Sequence, residues 1–241
     1  MELKIYTSKE EVAKRFSEYL VKITNSKEEV HIALSGGSTP KIVFDMLAEE
    51  YGTDINWDNV HFYWGDERCV PPTHEDSNYK MTLVHLFEKI SIPAANIHRI
   101  HGEDDPGQEA KRYAQLLDDK LPKRKKIPQF DLVILGMGDD GHTASIFPHE
   151  IELWDAKANC AVAIHPDSGQ RRITITGKII NNAKEVAFLV TGAGKAEKVE
   201  EIMKKEGDYV TYPATLVAPT SGQLIWFLDS DAAKGLMSVG D

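Results

Sequence analysis

Short apolar runs alternate along this chain with segments in which apolar residues recur every three or four positions. LKIYT predicts a first strand. SKEEVAKRFSEYLVKIT predicts a helix, because Val12, Phe16, Tyr19, Leu20 and Ile23 fall at helical spacing behind Ser8, a side chain suited to an N-cap. VHIAL is the next strand, and SGGSTP turns it into the helix KIVFDMLAEEYG, with Pro40 near its start and Gly52 past its end. VHFYWGDE and DSNYKMTLVHLFEKI repeat the strand and helix, a further helix covers 107–120, and LPKRKKIP reads as a solvated connector. FDLVILG is apolar throughout, as a strand buried on both faces must be. NCAVAIH, RRITIT, EVAFLVTG and LIWFLDS predict further strands, with helices after ITIT and after GAGKAEKV. No repeat, low-complexity tract or linker interrupts the series, which predicts one α/β domain over residues 1–241 built on a mostly parallel sheet with helices on both sides.

Composition narrows the function. A chain of 241 residues with 41% hydrophobic and 27% charged side chains can bury a core and is not a disordered one. Its formal charge of −10 argues against nucleic acid or an anionic membrane as partner, yet permits a small anionic ligand where a few cations converge. MELKIYTSKEEVAK lacks the apolar core of a signal peptide and no long apolar run follows, so a soluble, cytoplasmic protein is expected. Cys69 and Cys160 are far apart and belong to no C-x-x-C pair, which fits a reducing compartment without zinc or redox chemistry.

Ligands of an open parallel sheet gather beyond the carboxyl ends of its strands, where this sequence places SGGSTP, GDER, GMGDDGH and GAGK. SGGSTP suits an anion: Gly36 and Gly37 let backbone approach, Ser38 and Thr39 offer hydroxyls, and a helix N-terminus follows. Gly136, Gly138 and Gly141 match G-x-G-x-x-G, but Asp139 and Asp140 would repel a pyrophosphate and Pro148 comes too soon for a crossover helix, so no nicotinamide site is expected. VTGAGKA is not a P-loop, since Ala196 stands where a magnesium-binding hydroxyl belongs.

What this loop does present is His142, an imidazole able to take a proton from water near neutrality. Backbone amides of the Gly136–Gly141 stretch are candidate oxyanion donors. In GDER, alternation puts Asp66 and Arg68 on one face and Glu67 on the other; Arg68 suits a phosphate, while Asp66 suits a sugar hydroxyl or a proton relay. Lys195 opens a helix, a position that favours a cation only beside a bound anion. One of Arg171 and Arg172 points inward, and alternation leaves open which. His98 and His101 are three apart outside a clear helix, and His165 sits in a loop, so no metal site is expected.

ALSGGSTP, WGDERCVPPTHEDSNYKM, LGMGDDGHTASIFP, RRITIT and APTSGQLIWFLD, in this order over nearly the whole chain, resemble the 6-phosphogluconolactonase family. The resemblance implies a Rossmann-like three-layer α/β/α sandwich, shared with glucosamine-6-phosphate deaminase and ribose-5-phosphate isomerase. It implies hydrolysis of the sugar-phosphate lactone 6-phospho-D-glucono-1,5-lactone in the oxidative pentose phosphate pathway, with no metal or organic cofactor. It places the base on His142 and the phosphate contacts on the SGGS loop, Arg68, Lys195 and, of the arginine pair, Arg172. Related deaminases carry a glutamate five residues after the loop histidine; here that residue is Phe147. Related sugar-phosphate sensors place a DNA-binding module before the fold, and none is expected here because the chain opens on the first strand.

Overall fold

A computed structural model describes residues 1–237, so the last four residues of the expected 1–241 unit lie outside it. Strand β1 (Glu2–Tyr6) leads into α1 (Lys9–Thr24), capped by the Ser8 hydroxyl accepting from the Glu11 amide at 3.2 Å. Then come β2 (Val30–Leu34), α2 (Ser38–Glu50), β3 (Val60–Trp64), β4 (Asp66–Arg68) and α3 (Asn78–His85). α3 is shorter than the periodicity predicts, because the chain tightens into a 3₁₀ turn at Phe87–Lys89. α4 (Pro106–Lys120) follows, and the KRKK connector folds into a two-residue-per-strand hairpin, β5 (Lys123–Arg124) and β6 (Ile127–Pro128). The chain continues with β7 (Leu132–Leu135), β8 (Cys160–Ile164), β9 (Arg171–Ile175), α5 (Gly177–Ile180), β10 (Glu185–Val190), α6 (Ala196–Lys204), β11 (Gln223–Asp229) and α7 (Lys234–Met237).

Six strands form one sheet in the order β1-β11-β10-β7-β2-β3, parallel at every pairing. LVIL of β7 is wholly buried near its centre, as its apolar run requires, and α1 and α2 pack against β11 and β10. At the β3 edge, Tyr113 of α4 occupies both free backbone groups of Trp64: its hydroxyl accepts from the amide at 2.9 Å and donates to the carbonyl at 3.0 Å.

β4, β9 and β8 stand apart as an antiparallel sheet, where the strand and helix alternation predicts more of the parallel one. The six residues between β8 and β9 are too few for a parallel crossover, so these strands must pair as a hairpin. GDER does not simply prolong β3 either, because the chain changes sheets at Gly65. The Gly65 amide donates to Leu34 O of the parallel sheet at 2.8 Å, while its carbonyl accepts from the Ile175 amide of the antiparallel sheet, also at 2.8 Å.

Candidate active site

A polar cavity of about 180 Å³ opens where the carboxyl ends of β2 and β7 meet β4 and β9. Gly36, Gly37, Asp66, Arg68, His142 and Arg172 all line it, together with Ser35, Asn78 and the Gly136–Gly138 backbone. Ser38 and Lys195 do not. Ser38 faces solvent in the first turn of α2, and the Lys195 ammonium is engaged by the Asp139 carboxylate.

Each wall follows from local sequence. After β2 the chain turns at Gly37, whose φ of +113° suits glycine, and with no side-chain cap the first amides of α2 are left to a ligand or water. Gly36 is needed for space, since a Cβ there would lie 2.0 Å from Asn78 Oδ1. Asn78 in turn donates through Nδ2 to Asp66 O at 2.9 Å, tying α3 to β4.

Within β4 the predicted alternation holds. Asp66 and Arg68 face the cavity and Glu67 points beneath it, where its carboxylate accepts from the amides of Arg68, Asn78 and Tyr79, each at 2.8 Å, and from Ser77 Oγ at 3.1 Å. Burial pushes the Glu67 carboxyl up, against the pull of those amides. No ion pair joins Asp66 to Arg68 among the described residues. Asp66, 5% exposed, accepts from Ser145 Oγ at 2.6 Å, and Arg68 donates to Asp76 O at 2.6 Å.

Arg172 is directly opposite Arg68 in the β4–β9 pairing and is 9% exposed, whereas Arg171 faces solvent. The alternative that periodicity left open is thus resolved inward for Arg172. Its guanidinium lies 5.5 Å from the Phe147 ring centre, and both Arg68 Nε and Arg172 Nε are buried without a hydrogen-bond partner among the described residues. Burial, reinforced by the charge of Arg68, makes the Arg172 guanidinium easier to deprotonate than usual while the Asp66 carboxylate opposes it. Two adjacent guanidiniums, one buried and one half-buried, each with a spare Nε donor, suit a multiply charged oxyanion.

His142 projects from the loop after β7. Its Nδ1 lies 2.6 Å from Asp140 Oδ1, which also accepts the His142 amide at 3.0 Å. Burial raises the Asp140 carboxyl, but its hydrogen bonds and electrostatic pairing with His142 outweigh that and hold it at about 2. Asp140 is therefore an ionised acceptor at neutral pH, and it favours the His142 tautomer that carries its proton on Nδ1 and leaves the Nε2 lone pair free. Gly141, at φ +80°, makes the Asp140 turn, and a Cβ on Gly138 would lie 2.1 Å from His142 Nδ1. The ring is seated 4.6 Å from that of the fully buried Phe147.

Asn78 in the cavity wall, and Asp140 and Ser145, which hold His142 and Asp66 from behind, have parts that pattern reading does not assign them. The D-G-H step, a carboxylate two residues before the histidine at a glycine turn, is the local signal from which the Asp140 part can be read. Two of the loop amides expected as oxyanion donors are engaged within the loop: Gly138 N donates to His142 O at 2.9 Å and Gly141 N to Gly138 O at 3.1 Å. The G-x-G-x-x-G spacing serves the histidine, not a pyrophosphate.

A family model described as glucosamine-6-phosphate isomerases/6-phosphogluconolactonase matches residues 7–226. The 6-phosphogluconolactonase of Haemophilus influenzae is 47% identical over 206 residues, which cover 85% of this chain and 87% of that one. The crystal structure of devB protein shares a TM-score of 0.93 and 45% identity over 97% of this chain and 98% of its own. The 6-phosphogluconolactonase of Trypanosoma brucei has a TM-score of 0.88 at 27% identity, covering 98% of each chain.

Proposed function

The chain belongs to the glucosamine-6-phosphate isomerase/6-phosphogluconolactonase family, and from that premise we infer how it works as a 6-phosphogluconolactonase, hydrolysing 6-phospho-D-glucono-1,5-lactone to 6-phosphogluconate in the oxidative pentose phosphate pathway. The observation that carries the mechanism is the opening of an Asp140-oriented imidazole into the same cavity as Arg68 and Arg172. Arg68 and Arg172 hold the phosphate, with Gly36, Gly37 and the uncapped start of α2 beside them. Asp66 accepts a sugar hydroxyl. Ser38 and Lys195 lie outside the cavity lining, and the Lys195 charge is already matched by Asp139, so neither is assigned a contact with the substrate.

The lactone carbonyl is already electrophilic, so the protein positions it and supplies a base. His142 Nε2 takes a proton from water as the water oxygen bonds to C1. The tetrahedral intermediate then collapses, the bond from C1 to the ring oxygen breaks, and the imidazolium returns its proton to that oxygen, leaving a carboxylic acid that ionises. A base placed in this way contributes typically about 10²- to 10⁴-fold. Asp140 stays ionised throughout and stabilises the imidazolium.

Family membership alone also admits a sugar-phosphate isomerase or deaminase. Phe147 weighs against that reading, because related deaminases carry a second carboxylate at this position beside the histidine, and here a buried apolar ring fills it and leaves Asp140 as the carboxylate on His142. The free state of Cys69 and Cys160 supports a reducing, cytoplasmic setting, and among the described residues no helix is long and apolar enough to cross a membrane. The test is base consumption at constant pH with freshly made lactone, corrected for spontaneous opening. Enzyme-dependent consumption abolished in His142→Asn supports the mechanism, and its absence in the native protein overturns it.

A further inference from the structure

A second cluster of chemistry-bearing side chains lies at the opposite ends of the same strands. His31 and His61 are register partners on β2 and β3, one residue after each strand begins and so about 13 Å along the strand from Ser35 at the cavity. Their rings stack at 5.0 Å, and Glu29 Oε1 lies 3.0 Å from His61 Nε2 and 3.7 Å from His31 Nε2. All three ligand atoms lie within 4.8 Å of one another. Ligand atoms about 2 Å from a tetrahedral zinc ion are spaced by roughly 3.3 Å, a value these two separations bracket.

The remaining ring nitrogens are already committed in the way a metal site requires. His61 Nδ1 faces His98 Nε2 at 3.2 Å, and His31 Nδ1 faces the Tyr63 hydroxyl at 3.3 Å. A metal-bound imidazole carries its proton on the other nitrogen and donates it, and both rings have an acceptor in place. His98 is held there by its amide donating to Phe62 O at 2.8 Å and by its ring stacked 4.4 Å over Tyr63. Sequence spacing pairs His98 with His101; the sheet instead brings it to His61.

We propose that Glu29, His31 and His61 bind a divalent transition metal of the zinc class, with water completing a tetrahedral shell and His98 and Tyr63 orienting the two imidazoles. The ion ties β2 and the residue before it to β3 and takes no part in hydrolysis. A second group, His101, Asp104 and Glu109, is less suited, because Glu109 already accepts from Arg112 and from the His101 amide at 2.7 Å.

The test uses the full chain without a histidine tag, stripped with chelator and titrated with Co²⁺ and Zn²⁺. One equivalent of Co²⁺ per chain with the intense visible absorption of tetrahedral coordination, displaced by Zn²⁺, is expected. Glu29→Gln and His61→Gln, both at partly exposed side chains, should weaken binding more than tenfold. His101→Gln should leave it unchanged, and Zn²⁺ should raise the melting temperature of the native chain only where the site is intact. No stoichiometric binding, or binding that survives both Glu29→Gln and His61→Gln, overturns the proposal.

Discussion

Arg68 and Arg172 sit directly opposite each other across an antiparallel strand pair, both lining the cavity and both with a buried, unpartnered Nε. Like charges so placed destabilise a sheet, and a bound phosphate relieves the repulsion. Arg68→Met and Arg172→Met should therefore leave the unliganded melting temperature undiminished while raising KM for the phosphorylated lactone roughly 10- to 100-fold, the loss of a charge-assisted hydrogen bond. The penalty should shrink on gluconolactone, which lacks the phosphate. Equal losses on both substrates would show that the pair is structural.

On the proposed mechanism His142→Asn removes the base and leaves Arg68 and Arg172 untouched. Turnover should fall about 10²- to 10⁴-fold, with binding of 6-phosphogluconate, measured by calorimetry, close to native. A folded variant with near-normal kcat would remove His142 from the mechanism.

Asp140→Asn separates orientation from basicity. Because the folded carboxyl is held at about 2, below its ordinary 3.8, the unfolded chain takes up the proton first as pH falls. Its stabilising contribution is full above about pH 4 and is lost between there and about pH 2. Denaturant midpoints across that acid range should decline less steeply in Asp140→Asn than in the native protein. Its kcat should drop at least tenfold at neutral pH, since an amide accepts through one oxygen only and carries no charge to hold the imidazolium.

Gly138→Ala places a methyl group where His142 Nδ1 and Asp140 Oδ1 now lie, at 2.1 and 2.7 Å. The ring must move, so kcat should fall by an order of magnitude or more with KM little changed. Gly194→Ala is the matched control: no atom of the described residues lies within 4 Å of its added Cβ, and steady-state kinetics should be native.

Phe147 sets a negative expectation. The native protein should release no ammonia from glucosamine 6-phosphate in a coupled assay, and Phe147→Glu alone should not create the activity, because Asp140 already fixes His142 for a single proton transfer. Robust deamination by the native chain would move the assignment to the isomerase branch of the family.

Most of this site lies on loops whose glycines, hydroxyls and charges can be read in line, which is why Gly36, Asp66, Arg68 and His142 were legible in the sequence as one group. Alternation also carried the opposed faces of Asp66 and Glu67. What sequence could not carry is anything settled by contact between distant segments. The inward turn of Arg172 depends on its pairing with β4, the Ser145 bond to Asp66 spans 79 residues, and His31, His61 and His98 meet only through strand register. The separate antiparallel sheet was missed for a local reason, since a glycine that ends one strand and starts another reads the same as a glycine within one.

Gly65, whose amide belongs to one sheet and whose carbonyl belongs to the other, also divides the labour of the site. On the proposed mechanism the cations assigned to the phosphate, Arg68 and Arg172, ride on β4 and β9, while the assigned base and its carboxylate ride on the loop after β7. Recognition and reaction thus occupy separate mutational neighbourhoods. A lineage can rewrite the loop chemistry, lactone opening in one descendant and ring opening in another, while inheriting the grip on the phosphate unchanged.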